Sequence, residues 1–141
     1  MKRIIGYTTG VFDLFHIGHL NILKRAKSQC DELIVGITTD ELCMKLKNKV
    51  PVISFDERCS IVESIRVVDR VVAQDRIDEL ADHELYGFNR IFKGSDWEGS
   101  PKWTALEKEF ALKGVEVIYF EYTASTSSTL VRSVLEQKTS A

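Results

Sequence analysis

The sequence has no excess of charge of one sign and no long hydrophobic run. It carries 19 lysine and arginine residues against 21 aspartate and glutamate residues, so its net charge is −2. Binding to a nucleic-acid backbone calls for a clear basic excess, and a membrane-spanning helix needs about 20 apolar residues. The first residues resemble a strand rather than the apolar stretch of a signal peptide. We therefore expect no nucleic-acid partner, no membrane association and a cytoplasmic location.

The sequence also lacks the motifs of several enzyme classes. It has no G-x-G-x-x-G fingerprint, which argues against dinucleotide binding, and no G-x-S-x-G nucleophile elbow. Its three cysteines, Cys30, Cys43 and Cys59, cannot all pair within the chain and show no C-x-x-C spacing. Reduced thiols in a cytoplasmic protein are the expected state.

What the sequence does contain is a regular alternation of strands and helices. Its 141 residues are 44% hydrophobic and 28% charged, which is typical of one globular domain, expected to span residues 1–141. The alternation predicts an α/β, Rossmann-like, doubly wound domain: a five-stranded parallel sheet with helices on both faces. The expected strands lie at residues 4–9, 31–39, 67–72, 90–93 and 115–120. Ligands of such folds bind at the carboxyl ends of the strands.

Helices are expected between the strands and after the last one. Ser54 and Glu57 fit a capping box, which predicts a helix that begins there and runs to about Arg66. The serine-rich stretch 125–128 precedes a predicted final helix.

Two of the three histidines, His16 and His19, lie just after the first strand and flank Gly18. A helix start at this place in a doubly wound fold is where a phosphate binds. Histidines three residues apart there lie on one side of the helix. The alternatives are a helix cap and a core ring, but position and spacing together favour phosphate binding. No protein-held metal is expected, because His83 and the cysteines lie in other segments.

The stretch from Gly10 to His19, with its H-x-G-H string, resembles the signature of a nucleotidyltransferase superfamily. Within it the sequence is most similar to the cytidylyltransferases, and among these to the glycerol-3-phosphate cytidylyltransferases. The residues that carry this finer resemblance are Glu57-Arg58, the run Glu63 to Asp69, the run Gly94 to Gly99, and Ser127-Ser128-Thr129.

The resemblance implies transfer of CMP from CTP to a phosphorylated small alcohol, with release of pyrophosphate. Glycerol 3-phosphate is the implied acceptor, which gives CDP-glycerol for teichoic acid. It also implies Mg²⁺ accompanying CTP, with Asp13 as a candidate ligand, and a homodimer. The attacking group is already a phosphate dianion, so the reaction needs positive charge and positioning rather than a general base.

The resemblance also implies roles for individual residues. The catalytic set would be His16, His19, Lys47 and Arg58, with Lys45 and Lys49 as alternatives to Lys47. The nucleotide would contact Gly10, Val11, Phe12, His16, His19, Asp96, Trp97, Ser127, Ser128 and Thr129. The acceptor would contact Arg58, Arg66 and Asp69, with support of the site as the alternative role of the two arginines.

Two positions depart from the family pattern. Val11 replaces a threonine, and Tyr122 replaces an arginine for which Arg132 could substitute. Because a planar cation that binds phosphate in two places is lost, the acceptor is less certain than the reaction. The alternatives are phosphoethanolamine or phosphocholine as acceptor, an adenylyltransferase using ATP, and a catalytically silent nucleotide sensor or scaffold.

Overall fold

Five short runs rich in apolar residues form one parallel sheet. The computed structural model describes residues 3–121 and Leu135 of the chain. The strands are β1 (Ile5–Gly10), β2 (Glu32–Thr38), β3 (Arg70–Gln74), β4 (Arg90–Gly94) and β5 (Glu116–Phe120). Their order across the sheet is β3-β2-β1-β4-β5, and every neighbouring pair is parallel. The predicted five-stranded, doubly wound sheet is therefore confirmed.

Helices connect the strands, and side chains cap most of them. They are α1 (Ile17–Lys27), α2 (Asp40–Lys47), α3 (Phe55–Glu63), α4 (Glu79–Tyr86) and α5 (Pro101–Leu112), with a short 3-10 turn at Ser95–Trp97. Thr39 caps α2 through a 3.1 Å bond from the Leu42 amide, and Ser100 caps α5, where Pro101 suits the first helical position. None of the helices in the described part of the chain has the length and apolarity to cross a bilayer.

The helices cover both faces of the sheet. One core contains Leu23 of α1 and Val62 of α3 against Val35, Phe92 and neighbouring strand residues. The other contains side chains of α5 against the opposite face of the same strands. Its members are Tyr7, Ile34, Phe88, Ile91, Trp103, Leu106, Phe110 and Val115. Alternation of side chains along each strand supplies both cores at once.

The structure differs from the sequence expectations around β3. Helix α3 ends at Glu63 rather than near Arg66, and β3 begins at Arg70 rather than Val67. Val67 and Val68 still pack against the core, but they do so from a turn. Their apolar character, from which a strand was predicted, therefore reflects burial against the core and not strand structure. Ser54 begins α3 as predicted, although its side chain makes no capping bond.

The order of the strands places a crevice beside β1. This strand lies between β2 and β4, and chain connections on its two sides run in opposite directions across the sheet. The loops that follow β1 and β4 therefore separate at the carboxyl edge of the sheet, which is where ligands of this fold class bind.

Candidate active site

A cavity of about 460 Å³ opens at this switch point. Its walls include ends of β1 and β4, the loop after β1, and residues that follow α2. Among the residues predicted to act there, those that line it are Gly10, Val11, Phe12, His19, Lys47 and Trp97. The described lining contains three lysines and one carboxylate, so the cavity favours anions.

The loop after β1 is held in a strained shape. Phe12 and Leu14 both have positive φ angles, 53° and 51°, which residues other than glycine rarely adopt. The Phe12 ring is buried and lies over the end of β1, where a Cβ on Gly10 would meet it at 2.8 Å. Gly10 is therefore required for this close approach. Strain of this kind, of order 1–3 kcal/mol per residue, is concentrated at functional sites.

The two histidines cap α1 reciprocally. The Gly18 amide donates to His16 Nδ1 at 3.0 Å, and the His16 amide donates to His19 Nδ1 at 3.2 Å. The two rings stack with their centroids 4.0 Å apart. The two histidines therefore do cap the helix, which was one of the alternatives. This does not exclude phosphate binding, because the cap uses Nδ1 of each ring and leaves Nε2 for a ligand.

These bonds determine where each ring holds its proton. A nitrogen that accepts a backbone N–H must be unprotonated, so each neutral ring carries its hydrogen on Nε2. Burial lowers the pKa of His16. Burial, together with the charge of His16 and against the opposing effect of Asp13, lowers the pKa of His19 to about 4. Both rings are therefore neutral Nε2–H donors at neutral pH.

His16 Nε2 is buried and has no hydrogen-bond partner among residues 3–121. A buried donor without an acceptor costs about 1–3 kcal/mol, which a ligand oxygen can offset. His16 does not itself belong to the described cavity lining; its ring stacks on that of His19, which does.

Asp13 anchors the wall of the cavity that follows α2. Its two carboxylate oxygens accept the amides of Val52 and Ile53, at 2.8 and 2.9 Å. The cavity lining includes Lys47, the last residue of α2, and Lys49 just after it, and not Lys45. Two of the three lysines that the sequence left open therefore lie where they could contact a ligand.

Arg58 is fully buried and bonded to the protein. Its guanidinium donates to the carbonyl oxygens of Ile53, Val11 and Thr38, at 2.9, 2.7 and 2.8 Å, and to Asp40 at 2.6 Å. It joins the loop after β1, the end of β2 and the cavity wall. The side chain has no exposed surface, and its bonds support the loops around the cavity. Contact of Arg58 with a substrate phosphate remains a prediction that this burial does not support.

The other two predicted acceptor ligands lie at the amino edge of the sheet, where the strands begin and away from the cavity. Arg66 is exposed in the turn before β3. Asp69 directly precedes β3, where its carboxylate accepts from the Leu33 amide at 2.7 Å and from Lys27 at 2.5 Å. Neither belongs to the described lining of the cavity, so contact with the acceptor remains a prediction that their positions do not support.

The loop after β4 brings Trp97 to the cavity, whereas Asp96 is exposed beside it and outside the described lining. Lys93 of β4 also lines the cavity, although the sequence motifs did not predict it. The available signal was a lysine directly before the glycine at which a buried strand ends. The residues Ser127, Ser128 and Thr129, like Tyr122 and Arg132, lie outside the described residues, and their predicted roles stay predictions.

The family model described as cytidylyltransferase-like matches residues 7–134. The chain belongs to this cytidylyltransferase-like family. It is 35% identical over 139 residues to glycerol-3-phosphate cytidylyltransferase of Staphylococcus aureus, a match that covers 98% of each chain. It is 35% identical over 136 residues to the enzyme of that name from Bacillus subtilis, covering 94% of this chain and 95% of that one.

A solved structure supports the fold independently. The lipopolysaccharide core biosynthesis protein from Thermoplasma volcanium superposes with a TM-score of 0.70 at 24% identity, over 86% of this chain and 98% of that one. The resemblance that the H-x-G-H string and the later motifs indicated is confirmed at the level of the family.

Proposed function

We propose that this protein is a glycerol-3-phosphate cytidylyltransferase, which transfers CMP from CTP to glycerol 3-phosphate and releases pyrophosphate. The near-full-length similarity to the two bacterial enzymes of this name supports the substrates. The observation in the structure that carries the proposal is the reciprocally capped histidine pair beside a lysine-lined cavity.

In the proposed reaction an oxygen of the acceptor phosphate attacks the α-phosphorus of CTP. The new P–O bond forms as the bond between the α-phosphorus and the α,β-bridging oxygen breaks, and pyrophosphate leaves with the electron pair. No proton has to be removed from the attacking group. The protein must instead stabilise negative charge that builds up on the phosphoryl oxygens.

The histidines suit this task because they need no change of protonation. Each Nδ1 is occupied by a backbone amide, so each Nε2–H has a fixed direction before substrate arrives. Preorganised donors of this kind are worth about 10²–10³ in rate when they meet the developing charge. Lys47 and Lys49 add positive charge from the segment that Asp13 anchors.

Mg²⁺ is proposed to enter with the nucleotide. No group of three or more histidine, cysteine, aspartate or glutamate side chains that could hold a metal occurs within the described part of the chain. Asp13, the carboxylate of the described lining, already accepts two backbone amides. These residues do not form a protein-held magnesium site. Coordination by substrate phosphates is the usual mode for this ion.

The test is a pyrophosphate-release assay of the purified protein. CTP and ATP are each combined with glycerol 3-phosphate, phosphoethanolamine and phosphocholine in the presence of Mg²⁺. We expect turnover with CTP and glycerol 3-phosphate. Turnover with ATP alone would overturn the cytidylyl assignment, and preference for another phospho-alcohol would overturn the acceptor. Nucleotide binding without pyrophosphate release would favour the sensor.

We also propose a homodimer, which the family resemblance implies, and a cytoplasmic location, which the cysteine pattern favours. Light scattering that gives the mass of a single chain would contradict the dimer.

A further inference from the structure

Lys93 lies at the carboxyl end of β4, at the crevice beside β1. Its side chain shares the sheet face of Ile91, and it lines the cavity together with Trp97. The proposed reaction assigns it no task so far. Lys47 at the end of α2 and Lys49 just after it, by contrast, line the cavity from the other side of β1.

The surroundings of Lys93 are aromatic. Its ammonium nitrogen lies 5.1 Å from the ring centroid of Trp97 and 5.4 Å from that of Trp103, which is fully buried. Contacts with indole faces attract a cation but only partly replace its hydration. These are the two tryptophans of the chain, so both fluorescent side chains lie against this amine.

Lys93 has no ion-pair partner among residues 3–121. Glu79, a nearby carboxylate, is bound by Lys102 at 2.9 Å, and the exposed Asp96 makes no ion pair with Lys93. Burial lowers the pKa of Lys93, with Glu79 and Asp96 opposing this effect and Lys102 adding to it. A partly desolvated cation without a counter-ion is unfavourable by itself.

A purely structural role does not account for this arrangement. An apolar side chain of similar length would fill the space between the two indoles without desolvating a charge. An anion that enters the cavity would supply the missing counter-ion. We propose that Lys93 is a substrate-binding residue whose ammonium pairs with a phosphate oxygen of CTP or of the acceptor. This inference rests on the proposed cytidylyl transfer.

The test compares Lys93→Met, which keeps the length and loses the charge, with Lys108→Met as the matched control. Lys108 is exposed on α5 and lies outside the described cavity lining. A charge-assisted hydrogen bond predicts that Lys93→Met raises the KM for one substrate by about 10- to 100-fold, while Lys108→Met leaves both values unchanged. Lys93→Arg, which restores the charge, should recover part of the affinity.

The pattern of KM values distinguishes the two sources of phosphate. A higher KM for CTP, with weaker calorimetric binding of CTP but unchanged binding of uncharged cytidine, supports pairing with the nucleotide phosphates. A higher KM for glycerol 3-phosphate alone supports pairing with the acceptor. Unchanged KM values for both substrates, or an equal loss of cytidine and CTP binding, would overturn the proposal.

A second measurement does not depend on turnover. Sodium pyrophosphate and inorganic phosphate are titrated into the protein while tryptophan fluorescence is recorded. We expect a saturable change for the wild type and for Lys108→Met, and none for Lys93→Met. The same change in Lys93→Met would contradict the inference. If the wild type binds these anions through Lys93 but shows no turnover with CTP, the proposed function fails and the anion site stands.

Circular dichroism melting separates binding from folding. If Lys93→Met unfolds below the assay temperature, Lys93→Gln and Lys93→Arg are compared under the same conditions. Weak anion binding by folded Lys93→Gln together with strong binding by Lys93→Arg supports the proposal, and equal binding by the two overturns it.

Discussion

The two edges of the sheet differ in how their polar side chains are used. At the amino edge, three of them each accept the amide of a residue at or next to the start of a strand. The pairs are Asp31 with Ile4, Asn89 with Ile5, and Asp69 with Leu33, at 2.7, 2.8 and 2.7 Å. These bonds satisfy strand ends that would otherwise be open.

The carboxyl edge keeps polar groups without partners. His16 Nε2 and the Lys93 ammonium have no hydrogen-bond or ion-pair partner within the described residues, and Phe12 and Leu14 hold strained angles. A protein under selection for stability alone would remove such features. The comparison teaches that one edge stabilises the sheet while the other keeps donors available for a ligand, at some loss of stability.

The largest expected effect concerns the support beneath the carboxyl edge. Arg58→Met should lower the free energy of unfolding by about 3–5 kcal/mol, because it leaves Asp40 and three carbonyl oxygens without their buried donor. Urea unfolding measures this. Arg76→Met, at an exposed arginine, should change the value by less than about 0.5 kcal/mol. Equal stability of the two variants would show that Arg58 does not hold the loops together.

His16→Asn separates the two functions of one side chain. Asparagine retains an acceptor for the cap but has no counterpart of the Nε2 donor, so stability should stay near that of the wild type. We expect kcat to fall by about 10²–10³. His16→Ala should lose the same activity and about 1 kcal/mol of stability in addition. A normal kcat in His16→Asn would remove His16 Nε2 from the mechanism.

Asn89→Ala tests the amino edge. It removes the acceptor of the Ile5 amide, which should lower the free energy of unfolding by about 1–2 kcal/mol. Because Asn89 lies at the end of the sheet away from the cavity, kcat/KM should be unchanged at a temperature where the variant is folded. A fall in kcat/KM without unfolding would show that the two edges are coupled.

A further expected effect is a dependence of stability on pH. The folded state holds the pKa of His19 at about 4, below its ordinary value of about 6.5. Between these values the unfolded chain binds a proton that the folded chain does not, so stability falls as the pH is lowered from about 6.5 to 4. His19→Asn should show a shallower loss over this range in urea unfolding. Identical slopes would mean that His19 titrates normally in the folded protein.

Much of the site could be predicted because it depends on local sequence. H-x-G-H follows the first strand directly, and both rings occur where the helix begins, as the order of elements requires. Lys47 and Lys49 were named from the family resemblance, and they line the cavity because the segment after β2 begins at the carboxyl edge.

What the sequence could not predict depends on burial and long-range contacts. Arg58 and Asp69 have the residue types of phosphate and acceptor ligands, but packing directs Arg58 to backbone carbonyls and places Asp69 at the opposite edge. Nothing in a local pattern distinguishes an arginine that binds a ligand from one that binds carbonyl oxygens twenty or more residues away.

The sequence by itself determined the alternation of strands and helices, the parallel sheet and the position of the histidine pair, because periodicity, caps and turns act over a few residues. Only the tertiary structure decided which nitrogen of each histidine donates, which charged groups are enclosed, and that Lys93 faces the cavity between two indoles. These properties depend on side chains that are distant in sequence and meet only when the sheet is assembled.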